Sequence, residues 1–245
     1  MILGAVFGII ITRIIKMDNY SYIKRNFDSL VSEIKDYEAN LKRKIKLVCV
    51  TKSGTDEELL ALCRIGASAI GENRPGELAR RGALLLEAGY SPELHEIGNL
   101  QRNKVKLVVG RATLIHSVGS LSLAEEINKQ AEKLSIKVPV LIEINSGREE
   151  NKGGILPEQA EEFYLKIKDL PALSVSGLMT MGPVCDDPED SRKYFRLTKE
   201  IFDLLSEKYG FFGEGILSMG MSDSYKVAIE EGSTLVRVGR RLFVK

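Results

Sequence analysis

The sequence predicts an α/β protein: a single-domain (β/α)8 TIM barrel with an extra N-terminal helix. Three observations carry that expectation. From residue 46 onward, eight short β-rich runs alternate with amphipathic helical runs. The β-rich runs are almost continuously apolar, as parallel strands covered on both faces require. The 245 residues contain no linker, low-complexity stretch or repeat period, so one closed domain accounts for them. Right-handed crossovers and short loops prune most other topologies, and a doubly wound open sheet is the alternative.

Each element has its own signal. Ile23, Phe27, Leu30, Ile34, Tyr37 and Leu41 recur at helical spacing and predict the extra helix. Strands are expected over 46–51, 67–71, 94–98, 113–118, 138–145, 174–180, 215–219 and 234–239. Ser122, three residues before Glu125, reads as a capping box ahead of Ala124, Ile127, Ala131 and Leu134. Pro157 suits a first helical turn, with Ala160, Phe163, Tyr164, Ile167 and Leu170 following on one face. A helix from about 189 turns Phe195, Ile201, Phe202 and Leu205 inward and stops at Gly210. A shorter one runs from near Ser222 to Gly232.

Composition excludes several classes. With 35 basic and 34 acidic residues the formal charge is +1, which gives no broad field for nucleic acid or an acidic membrane. Arg80-Arg81 and Arg240-Arg241 are isolated pairs without an aromatic platform, and read as solvated faces or anion contacts. At 44% hydrophobic and 28% charged, the chain is a soluble globular protein rather than a disordered, collagen-like or multispan one. Cys49, Cys63 and Cys185 are odd in number and lack a Cys-x-x-Cys pair, so they read as reduced core thiols of a cytoplasmic chain; a monomer is the separate expectation. The stretch 1–16 is apolar up to Thr12, with Arg13 and Lys16 after it. It is shorter than the roughly 20 residues of a bilayer span, and its charges sit on the wrong side for a secretory signal. Either Met17 is the true start or the stretch is a weak surface anchor, and 17–245 is the barrel domain.

In such a barrel the chemistry lies at the C-terminal ends of the strands. Lys52 follows the first apolar strand, Asn73 the second and Asn145 closes the fifth. Ser218-Met-Gly-Met-Ser222 and Val236-Arg-Val-Gly-Arg240 end the seventh and eighth. An ordinary lysine is neutral only about once in 2,500 molecules at pH 7, so a nucleophilic one needs desolvation or cationic neighbours. The barrel mouth can supply both, and such an amine forms a Schiff base with an aldehyde. A solvated lysine opening a loop is the plainer alternative. Loops after strands seven and eight commonly cradle phosphate, and Gly220, Ser222, the following helix N-terminus and Gly239 suit that task. A phosphate cradle and an amine on one barrel face fit a phosphorylated aldehyde, and pyridoxal 5′-phosphate is the obvious cofactor of that kind.

From about residue 20 to the end the sequence resembles the YggS-like pyridoxal phosphate homeostasis proteins, whose fold is similar to the barrel domain of bacterial alanine racemase. The motifs are Val48-Cys-Val-Thr-Lys52, Gly71-Glu-Asn73, His95-Glu-Ile-Gly98 with Leu100-Gln101 and Asn103-Lys104, and Glu149 to Gly154. Gly177-Leu-Met179, Leu217-Ser-Met-Gly-Met-Ser-Asp223, Glu231-Gly-Ser-Thr234 and Val236-Arg-Val-Gly239 complete the set. The resemblance implies that Lys52 holds the cofactor as an internal aldimine. It implies further that Ser218, Gly239 and the Arg240 backbone meet the phosphate, that Arg237 partners the pyridine ring, and that Asn73 stands behind or beside the ring. It implies a protein that binds pyridoxal 5′-phosphate without an established turnover, and buffers it or delivers it to PLP-dependent apoenzymes. Two departures stand out: Arg240 where the family usually has a small hydroxyl residue, and Arg74 where it often has tyrosine.

The rival reading is a PLP-dependent amino-acid racemase. Racemisation needs a base on each face of the α-carbon, and the lysine supplies one. The resemblance places the second, a tyrosine, with a carboxy-terminal β domain that this chain, ending at Lys245, is expected to lack. Tyr90, Tyr164, Tyr194, Tyr209 and Tyr225 lie in expected helices or helix-linked loops. A cation at Arg237 disfavours ring protonation, which argues against decarboxylation or transamination more than against racemisation. A metal hydrolase would need clustered ligands, whereas His95 and His116 sit far apart in sequence and read as hydrogen-bonded strand residues. Glu72, Glu96 and Glu143 are candidates for a carboxylate pair of unknown separation. Met179, Met181, Met219 and Met221 read as barrel filling.

Overall fold

A computed structural model describes residues 19–245, and the apolar stretch 1–16 together with Met17 lies outside the described residues. The first helix, α1 (Ser21–Leu41), buries Tyr22, Ile23, Phe27, Leu30 and Ile34 on one stripe. Leu41 at its end is exposed and Tyr37 only partly covered. Eight strands follow in the expected order: β1 (Lys46–Val50), β2 (Ala69–Glu72), β3 (Glu93–Glu96), β4 (Leu114–Val118), β5 (Val138–Glu143), β6 (Leu173–Met179), β7 (Ile216–Ser218) and β8 (Leu235–Val238). All pair in parallel, and β8 returns to β1 to close the barrel. The crossovers carry α2 (Asp56–Arg64), α3 (Pro75–Glu87), α4 (Val105–Val108), α5 (Leu121–Lys133), α6 (Ala160–Ile167), α7 (Arg192–Tyr209) and α8 (Tyr225–Glu230).

Residues from six strands around the closed sheet, Val48, Ala69, Leu114, Leu141, Met179 and Leu235, form one cluster. Only the barrel interior lets them meet. Two larger clusters fill the space between sheet and helices. Of the four methionines expected as filling, Met179 and Met181 belong to the interior. Met219 instead packs in the outer shell and Met221 is exposed, because the chain turns at Gly220.

Several boundaries differ from expectation. The cap of α5 is Ser120, whose hydroxyl accepts from Leu123 N–H, so Ser122 lies inside the first turn rather than before it. Pro157 opens a short 3-10 turn that leads into α6. The helix after β7 starts at Tyr225, because Met221–Ser224 form a turn in which Ser224 Oγ accepts from Met221 N–H. Thr55 caps α2 in a capping box with Glu58. Cys49 and Cys63 are buried thiols pushed up to about 12 and about 11 by burial, which makes them unreactive. No helix among the described residues is long and apolar enough to cross a membrane.

Gly177 marks an irregularity in β6. Val140 and Leu141 pair with Val175 and Gly177, so one step on β5 faces two on β6. Gly177 has φ 147°, and a β-carbon there would stand 1.9 Å from Ile216 O on β7. Gly177→Ala is therefore expected to cost about 2 kcal/mol or more, combining strain at positive φ with overpacking. Urea denaturation checks it, and a midpoint equal to that of the parent would refute the account.

Candidate functional site

β1 delivers Lys52 to the C-terminal rim. Thr51 N–H donates to Gly71 O at 3.1 Å, which carries the β1–β2 ladder one residue past Val50. Gly54 N–H then closes a turn on Thr51 O at 2.9 Å, and Lys52 sits exposed within it. Val50 pairs with Gly71, and two residues beyond that pair lie Lys52 and half-buried Asn73. The Asn73 backbone is pinned by Gly98, where a β-carbon would stand 2.1 Å from Asn73 O. On the other side of β1, a β-carbon on Gly239 would stand 3.0 Å from Val50 O. Lys52 and Gly239 therefore share one end of the barrel on adjacent strands.

The last two loops are laced together at that end. Gly239 N–H donates to Ser222 Oγ at 3.2 Å, and Arg237 N–H donates to Gly220 O at 3.1 Å. The Arg240 side chain is exposed and pairs with Asp223 across the same two loops. Its charge is thus partly answered by this chain's own carboxylate, although exposed pairs contribute only about 0–1 kcal/mol to stability.

Ser218 and Arg237 meet below the rim. Ser218 is fully buried, and its Oγ accepts from Arg237 Nη1 and lies 3.0 Å from His116 Nδ1. Arg237 also donates to Ser218 O at 3.0 Å and to Thr180 O at 3.1 Å. Burial pulls its guanidinium down to about 10, with Glu143 opposing, so it stays cationic at neutral pH. Of the two serines on this segment, Ser218 anchors Arg237 inside the barrel and Ser222 stands beside the Gly239 amide.

The alanine racemase N-terminal domain family matches residues 25–244. A relative from Aquifex aeolicus is 43% identical over 198 residues, 81% of this chain and 86% of its own length. One from Helicobacter pylori is 34% identical over 224 residues, 90% of this chain and 97% of its own. Both are pyridoxal phosphate homeostasis proteins. This chain belongs to their family. PipY of Synechococcus elongatus, solved with PLP bound, superposes with a TM-score of 0.79 at 25% identity, covering 91% of this chain and all of PipY. An alanine racemase of Clostridium difficile shares the fold at a TM-score of 0.72 and 21% identity, and this chain spans 60% of its length.

Within this pyridoxal phosphate homeostasis family member, the residue that composition and motif both missed is Arg81. It is buried rather than a solvated or anion-contacting member of a basic pair. Its Nη1 donates to Thr51 O at 2.7 Å and to Glu72 Oε1 at 2.6 Å, and its Nη2 donates to Gly54 O at 2.6 Å. Thr51 Oγ1 also donates to Glu72 Oε1. Both carbonyls flanking the Lys52 turn are thus held from below. The sequence signal was Arg81 falling between Leu78 and Leu85 on the buried stripe of α3. Arg80, its neighbour, pairs at the surface with Asp56 and Glu77.

Glu72 is committed to Arg81, so it is not the free member of a carboxylate pair. Glu96 is fully buried, accepts only from Gly98 N–H at 3.1 Å, and its Oε2 has no hydrogen-bond partner among the described residues. Burial, with a smaller contribution from the Glu72 charge, pushes its carboxyl up to about 8. Between the ordinary glutamate value of about 4.3 and about 8 the folded state then holds more protons than the unfolded state. Stability is expected to fall with rising pH across that window, by up to about 1.4 kcal/mol per pH unit, and to level off above it. Glu96→Gln should flatten that slope in denaturation measured from pH 5 to 9, and equal slopes in variant and parent would refute it.

Proposed function

We propose that this chain holds pyridoxal 5′-phosphate through Lys52 and serves intracellular homeostasis of that cofactor, with PLP-dependent apoenzymes as its recipients. The observation that carries the reading is the common rim of Lys52 and Gly239 on adjacent strands. The residues present fit the group. A β-carbon on Gly239 would fit only tightly against Val50, the Gly239 amide stands beside the Ser222 hydroxyl, and a buried cation lies beneath at Arg237. Lys52 Nζ would hold the aldehyde carbon, with water leaving, and the amides and hydroxyl of the last two loops would bind the phosphate. Ser218 would act here by holding Arg237, and Asn73 would stand next to Lys52 on β2. When bound, the cofactor supplies an aldehyde and an electron-accepting ring.

Storage rather than racemisation is favoured by where the tyrosine hydroxyls are bonded. The hydroxyls of Tyr164, Tyr209 and Tyr225 bond to Gly210 O, Glu161 and Glu33, and these partners lie on the outer helices and the loops beside them. Arg237 keeps a positive charge at the base of the site, which disfavours protonation of a pyridine nitrogen there and so argues against decarboxylation or transamination more than against racemisation. Two arms test the function. Borohydride reduction of the loaded protein followed by mass spectrometry should place the adduct on Lys52. Amino acids incubated with the loaded protein in deuterated solvent should show no catalytic α-proton exchange, and multiple turnovers would overturn the storage role. Transfer to an apoenzyme no faster than release into solvent would overturn delivery.

A further inference from the structure

A line of polar groups crosses the barrel interior and ends on Arg237. Glu93, half-buried at the start of β3, receives Lys46 Nζ on both carboxylate oxygens at 2.7 Å. His95 Nε2 lies 3.2 Å from Glu93 Oε2, and His95 Nδ1 lies 2.9 Å from His116 Nε2. His116 Nδ1 lies 3.0 Å from Ser218 Oγ, which accepts from Arg237 Nη1. Both imidazoles, Ser218 and Arg237 are at most 3% exposed.

The ends of this line fix its direction. A guanidinium only donates and a carboxylate only accepts. Ser218 accepts from Arg237 on one lone pair, and with neutral rings the bonds running from His116 through His95 into Glu93 leave His116 Nδ1 to accept the Ser218 hydrogen. His116 must then carry its proton on Nε2 and donate to His95 Nδ1, and His95 must carry its proton on Nε2 and donate to Glu93. Every partner is satisfied when both rings are neutral, and a second proton on either ring would aim an N–H at a group that already donates. The surroundings agree with that state. Burial lowers His95, with Lys46 adding and Glu93 opposing; burial lowers His116 well below its ordinary value, with His95 and Arg237 adding. The bond to His95, then Lys46, holds Glu93 ionised at about 2 against its own burial.

We propose that this one-way thread makes His95 and His116 positioning residues for Arg237: it pins the Ser218 hydrogen on the far side, leaving the oxygen lone pairs to the guanidinium that is to face the cofactor ring. Glu93, at the other end of the line, thereby decides which way the Ser218 hydroxyl points. The positioning role rests on the proposed cofactor site, whereas the direction of the thread stands without it.

The chain contains only two histidines, so nitrogen-15 NMR of the imidazoles in the full-length protein without cofactor reads both rings directly. Both should be Nε2–H tautomers and remain neutral from pH 6 to 8. Glu93→Gln replaces an obligate acceptor by a group that can also donate, and should mix the tautomers of His116 two hydrogen bonds away. An Nδ1–H ring, titration near the ordinary 6.5, or a His116 spectrum indifferent to Glu93→Gln would overturn the thread. In the second arm, His116→Leu should weaken cofactor affinity about tenfold, the cost of leaving buried polar groups unpaired, and His116→Gln, which both accepts and donates, should recover most of it. Unchanged affinity in His116→Leu would overturn the positioning role, and Glu93→Gln keeps the question answerable if His116→Leu does not fold. A parent protein that takes up no cofactor would defeat the proposed site alone, with the tautomers still reporting the thread.

Discussion

Lys52→Ala is expected to abolish covalent capture of pyridoxal 5′-phosphate and to leave the protein folded. The side chain is exposed in a turn that backbone groups and Arg81 hold, so its removal deprives no buried atom of a partner. Substitutions of that kind stay within about 0.5 kcal/mol of the parent. The amine, by contrast, is the group that would make the covalent bond in the proposed site, and no neighbouring backbone atom could replace it. Borohydride should therefore fix no cofactor to the variant, while its thermal midpoint without cofactor matches that of the parent. Lys52→Arg is the sharper control, because it keeps a cation on the rim but offers no amine nucleophile at neutral pH. A reduced adduct of parental yield in either variant, or one mapped to a different lysine in the parent, would remove Lys52 from its role.

The fold was legible because its signals are repeated and local. Eight apolar runs with short breaks between them read as parallel strands, and their ends together with the resemblance named Lys52, Asn73, Ser218 and Arg237 as candidates. What could not be read was which groups the closure of the barrel brings together. His95 and His116 are 21 positions apart and bond to each other only because β3 and β4 are neighbours whose side chains enter one interior. The loop chemistry pointed to Ser222 and the resemblance to Ser218 for the phosphate, and a turn at Gly220 leaves Ser218 inside the barrel and Ser222 beside Gly239. The cap at Ser120 is hidden in the sequence because Ser122, with Glu125 three residues on, satisfies the capping-box pattern while Ser120 faces Leu123, and only the backbone bond from Leu123 marks the true cap. Arg81 was set aside as one of a basic pair, although its place between Leu78 and Leu85 put it on the buried stripe of α3.

Arg81→Met is expected to destabilise the protein by about 3–5 kcal/mol, because it leaves the buried Glu72 carboxylate with no opposing charge. It also removes the guanidinium donors from the Thr51 and Gly54 carbonyls, leaving Thr51 O only the Gly54 N–H, so the damage falls on the turn that carries Lys52. The two effects can be separated. Glu72→Gln combined with Arg81→Met removes the stranded charge and should regain a substantial part of the lost stability, while the two carbonyls still lack their guanidinium donors. If the clamp matters for the site as well as for the fold, the double variant should unfold closer to the parent in urea yet still capture cofactor more slowly at Lys52. Arg81→Lys completes the series: one ammonium cannot reproduce a planar fork that reaches Thr51, Glu72 and Gly54 together, so it should rescue the charge but not the turn. A single Arg81→Met variant that loses less than about 1 kcal/mol would mean that water or a shifted side chain answers Glu72, and the clamp would have to be abandoned.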